Sequence, residues 1–421
     1  MKLACNGGNP VVEKGDHKHY PIITDEDKAA VMGVLDSGVL WGNHSEQVKA
    51  LEKEWAEYVG TKYCVATNSG TAALHIAVVA SGVKPGDEVI VPTYSFLSTA
   101  TSALFHNAIP IFVDIEPRTF NIDVSKIEER ITDRTRAIVP VHVHGMPADM
   151  DPIMAIAEKH GLKVIEDAAQ AHGASYNGKM AGDLGHMGCF SLNASKGVVA
   201  GEGGLFTTSD VTLRDTADTT AVFGEVLEKG KTRDYNATAM GFMYRTQEMS
   251  AALARSQIRR LEGYNATRRA NAAHLDAGLS KIPGVIPPHV PEDRTHAYHL
   301  YRVSLDTNLI NPDLDVRECR NKVMRALKAE GLDCELWTGL IPVQGVFQAM
   351  EGYGGGCPWT CHGRPGIKYD LGEYQQSFDA LNNSFCIYSA VQPSNGIELA
   401  DKYIEAFNKV FDNLDQVWAL D

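Results

Sequence analysis

The chain has 421 residues, 44% hydrophobic and 22% charged, which is enough for one large and one smaller domain around sizeable cores. Its formal net charge of −14 argues against a nucleic-acid or anionic-membrane partner. The opening MKLACNGGNPVV lacks the apolar core of a signal peptide, AALHIAVVA is too short to span a bilayer, and eight cysteines are scattered without scaffold spacing, so the expectation is a cytoplasmic protein with reduced thiols.

In chain order, TDEDKAAVMGVLDSG reads as a helix with Thr24 as N-cap, acids in its first turn and Gly38 as its stop. SEQVKALEKEWAEYVG is a second helix, with Val48, Leu51, Trp55 and Tyr58 on one face. From Lys62 the pattern alternates between short apolar strands and amphipathic helices. KYCVAT, EVIVP, IPIFVDI, AIVPVHV and LKVIED read as strands. TAALHIAVVASG, a segment starting near Phe96, DVSKIEERI and DPIMAIAEKHG read as helices. This alternation predicts a parallel, doubly wound sheet extending to about Ser209. One long helix is expected from about Thr246 through SAALARSQIRRLEGYNATRRANAAHL, carrying the chain into a C-terminal domain of mixed strands (YHLYRVSL) and helices (DVRECRNKVMRALKAEG). The expected division is a large domain over 1–255 and a small one over 256–421. GYGGGCPWTCHGRPG reads as a loop. Cys357, Cys361 and His362 lie in it, but zinc wants a second ligand pair, so two unrelated thiols and no metal are expected.

Functional groups of a parallel sheet collect where strands end and helices begin. In TNSGTAAL, Ser69, Gly70 and Thr71 would present backbone N–H groups at a positive helix end, as a phosphate requires; a capped tight turn explains them equally well. In VIEDAAQAHGASY, Asp167 closes an apolar strand, where a carboxylate needs a cation or donors; a helix N-cap is the alternative. In FSLNASKGVVAGEGG, Lys196 stands among small and apolar residues. Burial there favours its neutral form, a nucleophile able to form a Schiff base with an aldehyde, and the glycines would let backbone approach a bulky ligand. The alternative is an exposed loop lysine beside a hairpin. Together a phosphate cradle, a buried acid and an activated lysine match the needs of pyridoxal phosphate.

At these residues the chain resembles the DegT/StrS family of sugar and cyclitol aminotransferases. The resemblance is carried by NSGTAAL, PGDEVIVPTYSF, VHVHGMPADMDPI, IEDAAQAHGA, FSLNASKGVVAGEGG and GFMYRTQEMSAAL. It implies fold type I of the pyridoxal-phosphate transferases: a mostly parallel α/β sheet with helices on both faces, and a smaller C-terminal α+β domain. It further implies that Lys196 holds the cofactor, Asp167 pairs with the pyridine nitrogen and Gln170 bonds the phenolic oxygen. Phe96 would stack on the ring, and Gly70, Thr71 and Ser191 would bind the phosphate. Met243 stands where the family often has an asparagine, in GYNYR, that reaches a neighbouring subunit's cofactor; Met243 cannot donate, so either another donor such as Arg245, also a substrate-site candidate, takes its place or the phosphate is held within one subunit. His142, His144 and Trp41 fall near the expected substrate site, with structural histidines and simple packing as the other readings.

The resemblance implies transamination through pyridoxal and pyridoxamine phosphate, in a homodimer with shared sites. Glutamine or glutamate would be the donor. The acceptor would be a keto-cyclitol or keto sugar in aminoglycoside-like natural-product biosynthesis, because NGGNPVV resembles the start of the keto-cyclitol branch. A nucleotide-linked keto sugar is the runner-up. A sugar dehydratase of the same fold and a non-catalytic relative stay as alternatives; Lys196 speaks against the first, and Lys196, Asp167 and Gln170 together against the second.

Overall fold

A computed structural model describes residues 2–41, 45–226, 233–362 and 366–420. The N-terminal half contains α1 (Asp25–Ser37), α2 (Glu46–Val59), β1 (Tyr63–Thr67), α3 (Gly70–Ala80), β2 (Glu88–Pro92), α4 (Ser98–Phe105), β3 (Ile109–Val113), β4 (Thr135–Ile138), α5 (Met150–His160) and β5 (Lys163–Asp167). There follow β6 (Ser175–Tyr176), β7 (Lys179–Met180), β8 (Met187–Ser191), β9 (Gly204–Thr208), α6 (Val211–Ala221), α7 (Glu248–Ile258) and α8 (Leu261–Leu279). The remainder holds β10 (Val285–Ile286), β11 (Arg294–Thr295), β12 (Tyr301–Leu305), α9 (Thr307–Ile310), α10 (Val316–Ala329), α11 (Gly345–Ala349), α12 (Gln375–Asn382), β13 (Ser384–Ile387), α13 (Ile397–Phe411) and α14 (Leu414–Trp418).

The central sheet runs in the order β1-β9-β8-β5-β4-β2-β3, and only β9 opposes its neighbours. β2, β3, β4, β5 and β8 pair in parallel, so Asp167 and Ser191 sit at the same edge of the sheet, beside the start of α3. Nine of the eleven α3 residues are buried, which makes it a central helix rather than an amphipathic surface one. Local chemistry sets the helix ends. Thr24 and Asp27 form a reciprocal capping box on α1, and Gly38 ends that helix at φ 68°. Ser69 Oγ accepts from Ala72 N at 3.1 Å and caps α3.

Two expected helices differ. DVSKIEERI forms two single 3₁₀ turns, at Val124–Lys126 and Glu128–Arg130. Ile127 is the one fully buried anchor there, too little apolar surface to hold a longer helix. The long helix expected from Thr246 is broken at Arg259–Arg260. The turn lets Arg260 Nη2 reach both carboxylate oxygens of buried Asp27, each at 2.7 Å.

A second sheet, β10-β12-β13, packs with α8, α10 and α13 into the C-terminal core. Two segments pack across the expected boundary at 255/256. Leu3 and Val12 join the C-terminal core, fastened by buried Lys409–Glu330 (2.7 Å), whose carboxylate also accepts from Ala4 N. In the other direction Ile341, Phe347, Trp359 and Tyr369 pack on the outer strands of the large sheet. The expectation of two unrelated thiols is corrected: Cys357 and Cys361 are disulfide-bonded. Thr360 N bonds Gly356 O and His362 N bonds Pro358 O, a turn that brings positions four apart face to face. The other six cysteines are free. Residues 363–365 of this loop, and the GN of GVLWGN, lie outside the described residues. Among the described residues no helix is long and apolar enough to cross a membrane, and no group of three or more His, Cys, Asp or Glu is placed to hold a metal ion.

Candidate active site

A cavity of about 910 Å³ opens at the strand ends, and Gly70, Thr71, Phe96, Asp167, Gln170, Ser191 and Lys196 all line it. These residues span 127 positions of sequence; the shared direction of β5 and β8 brings them together.

Lys196 lies in the connection between β8 and β9. That connection is pinned by Leu192 N to Gly203 O at 2.8 Å, Ala194 N to Gly201 O at 3.1 Å and Lys196 N to Asn193 O at 2.9 Å. The hairpin reading is therefore right about the backbone, but the amine turns inward. Burial lowers its pKa to about 8, against the attraction of Asp167, which raises it. Nζ lies 3.5 Å from His299 Nε2, and Tyr20 donates its hydroxyl to Lys196 O at 2.6 Å. Two of the glycines are required by close packing. A Cβ on Gly204 would fall 2.2 Å from Ser69 O, and one on Gly197 would fall 3.0 Å from His172 Cβ. Gly204 lets the hairpin backbone pack on that of Ser69, and Gly197 makes room for the His172 side chain.

Asp167 is buried at the floor. Oδ2 accepts from Thr99 Oγ1 at 2.7 Å and Oδ1 from Ala169 N at 3.3 Å. Burial pushes its pKa up, partly offset by the Thr99 hydroxyl and the Lys196 charge, and among the described residues no cation is paired with the carboxylate. Its neighbour Glu166 points to the opposite face of β5, as strand alternation requires, and accepts from Gly182, Leu184 and Gly185 N. Gln170 accepts from His144 N at 2.7 Å through Oε1, which leaves its NH₂ as the donor on the cavity side.

The cradle forms at the start of α3. Ser69 Oγ occupies Ala72 N, so the amides of Gly70 and Thr71 are the open donors of the first turn. Thr71 Oγ1 lies 2.7 Å from Ser98 Oγ, and a Cβ on Gly70 would fall 2.8 Å from Ser191 Cβ. Phe96 is 60% exposed and projects at the mouth.

The three residues expected near the substrate are not on the cavity wall. His142 is fully buried, with Nε2 2.9 Å from Glu166 Oε2 and Nδ1 accepting from Ala148 N at 3.1 Å. Both nitrogens are engaged, which is the structural reading. His144 is also buried, against Tyr94 and Trp337. Trp41 is exposed and bridges Gln247 through its backbone. The Arg245 guanidinium sits 5.4 Å from the Phe223 ring, its backbone bridged to Thr67. Met243, half-exposed, accepts from Asn68 Nδ2 through its carbonyl.

Sequence reasoning missed Thr99, Tyr20 and His299. Thr99 lies one turn past Phe96, so a polar residue facing the strand end was a usable signal. Tyr20 and His299 are 176 and 103 positions from Lys196 and carried none.

The residues fit pyridoxal phosphate. Two open helix amides suit a phosphate, and a buried carboxylate without a cation suits a protonated pyridine. A lysine whose pKa is lowered to about 8 suits an aldehyde. That combination at the edge of this sheet defines a fold-type-I pyridoxal-phosphate enzyme. The chain belongs to the DegT/DnrJ/EryC1/StrS aminotransferase family, whose pattern it matches over residues 21–361, and it is a pyridoxal-phosphate-dependent aminotransferase. It is 37% identical over 357 residues to L-glutamine:2-deoxy-scyllo-inosose aminotransferase of Streptomyces lividus, covering 82% of each chain. It is 40% identical over 283 residues to GDP-perosamine synthase of Caulobacter vibrioides, covering 67% of this chain and 73% of the relative. The crystal structure of 3-amino-5-hydroxybenzoic acid synthase superposes with a TM-score of 0.83, with 26% identity over 95% of this chain and 99% of that one.

Proposed function

We propose that the protein moves an amino group from glutamine or glutamate to a keto-cyclitol on the way to an aminoglycoside-like natural product, as a homodimer with shared sites. One observation carries the choice of acceptor. Beyond the cofactor residues the cavity is lined by His19, Tyr20, Asn193, Glu202, Glu335 and Tyr388. Lys196 is the only Lys or Arg on that wall among the described residues. Hydroxyl, amide and carboxylate groups suit a neutral polyol ring. A nucleotide pyrophosphate wants guanidinium or ammonium partners. The similarity to the scyllo-inosose aminotransferase supports the same choice.

When bound, pyridoxal phosphate supplies the electron sink that the chemistry needs. Lys196 Nζ would take the proton from the donor's α-carbon and give it up again at the cofactor's C4′, ending neutral as it began. His299, held neutral by burial and by the nearby Lys196 charge, offers Nε2 as an acceptor that steers the amine. Asp167, fixed by Thr99, would accept from the ring nitrogen at the floor, and Gln170 would donate toward the ring edge. Gly70, Thr71 and Ser191 would hold the phosphate, and Phe96 would cover the ring.

A nucleotide-linked keto sugar is the second reading, favoured by the 40% identity to GDP-perosamine synthase. The test is to charge the enzyme with the amino donor and then offer a keto-cyclitol or a nucleotide-linked keto sugar at equal concentration. Faster return of the yellow form with the cyclitol is expected; faster return with the nucleotide sugar overturns the first reading in favour of the second.

A further inference from the structure

A second cavity, of about 560 Å³, lies on the far side of His144 from the cofactor residues. Its walls come from residues 117–120 and 143–146 on one side, and from residues 286–289, β12 and the end of α12 on the other. Alternation along β12 explains its chemistry. Tyr301, Val303 and Leu305 point into the C-terminal core, so Arg302 and Ser304 face the cavity.

Arg302 is 5% exposed. Nη1 donates to Ser384 Oγ at 2.6 Å, and Nη2 donates to the Tyr94 hydroxyl. The guanidinium lies 4.4 Å from the Phe120 ring centre and 5.1 Å from that of Tyr94. Among the described residues its hydrogen-bond partners are these two hydroxyls rather than a carboxylate, and Nε is buried without a partner. A buried guanidinium without a counter-charge is costly unless an anion arrives. Asn383 Oδ1 on the same wall is also buried and unpartnered.

The rest of the wall limits the ligand. Phe120, Val143, Ile286, Pro287 and Pro288 make it apolar. Burial holds the imidazoles of His144 and His296 below the ordinary value, so they are neutral. Arg118, paired with Glu116 at 3.1 Å, and Asp379, which accepts from Gln375 Nε2 at 2.7 Å, are both exposed at the rim, where water screens their charges. A single buried positive charge in an apolar chamber suits a single carboxylate. A phosphate dianion or a nucleotide would need further cations. The volume falls within the range of about 300–1,000 Å³ usual for small-molecule sites.

We propose that this cavity is a second ligand site, distinct from the cofactor site, that takes a small monocarboxylic acid with an apolar body, its carboxylate on Arg302. The test is calorimetric titration of the holoenzyme with benzoate, with benzyl alcohol as the uncharged counterpart. Expected are saturable binding of benzoate and binding of the alcohol roughly tenfold weaker or less, the worth of one charge-assisted hydrogen bond. Benzoate should also leave KM for the amino donor unchanged. R302Q should weaken benzoate by a similar factor. S304W, which fills the chamber and keeps the charge, should abolish binding, and it decides the matter if R302Q does not fold. No saturation up to about 10 mM, equal binding of the alcohol, full binding by S304W, or competition with the donor would each overturn the proposal.

Discussion

The rate at which cofactor-free protein captures pyridoxal phosphate should bend near pH 8. Burial lowers the Lys196 amine from the ordinary 10.5 to about 8, and the nearby Asp167 carboxylate opposes the fall. Only the neutral amine attacks an aldehyde. At pH 7.5 roughly a quarter of such an amine is neutral, against about one part in a thousand of an ordinary lysine, a gain of about two hundredfold in nucleophile. Rapid mixing of cofactor with cofactor-free protein, followed at the visible band, reads this directly. Below pH 8 the rate should climb about tenfold per pH unit, and above it should level off. Asp167→Ala removes the attraction that holds the proton on, so the bend should move to lower pH. A rate that climbs without a bend to about pH 10, as an unperturbed lysine would give, refutes the argument that burial activates Lys196.

Three further outcomes follow from the geometry. Asp167→Ala should keep the cofactor more weakly and lose nearly all turnover; normal steady-state turnover would remove Asp167 from the ring nitrogen. His299→Ala should bind the cofactor but lower kcat by roughly tenfold to a hundredfold, the usual effect of a misplaced reacting group, and unchanged kcat would reduce His299 to packing. Gly204→Ala puts a methyl 2.2 Å from Ser69 O, so the hairpin must shift away from the cap of α3. A loss of about 1–3 kcal/mol in denaturant unfolding is expected, together with weaker cofactor binding; wild-type stability would show that the contact relaxes freely.

Most of the large domain is written locally. β1 to β5 are short apolar runs bounded by turn residues, and Thr24, Asp27 and Gly38 announce both ends of α1. The misses have physical causes. Arg259 and Arg260 are good helix formers, so nothing local announces the break between α7 and α8; it exists because Arg260 reaches Asp27, 233 positions away. The turns around Ile127 carry helical periodicity but only one buried anchor. The cysteine pair looked unrelated because a four-residue spacing says nothing until the loop turns back on itself. At the site, Lys196, Asp167 and Gly70 were legible because each breaks the pattern of its element: an amine among small residues, an acid ending an apolar strand, a glycine at a helix start. His142 failed as a substrate candidate because Glu166, its immobilising partner, comes from the next strand. Tyr20 and His299 reach Lys196 through the fold alone.

The central claim is that Lys196 holds pyridoxal phosphate in an amino-transferring site. The most direct measurement is the visible spectrum of the purified holoprotein before and after glutamine and glutamate, added separately, with Lys196→Ala beside it. The account predicts a yellow band that one donor converts to the pyridoxamine form and that the folded variant lacks. A band that neither donor changes, or one that survives in Lys196→Ala, would contradict it.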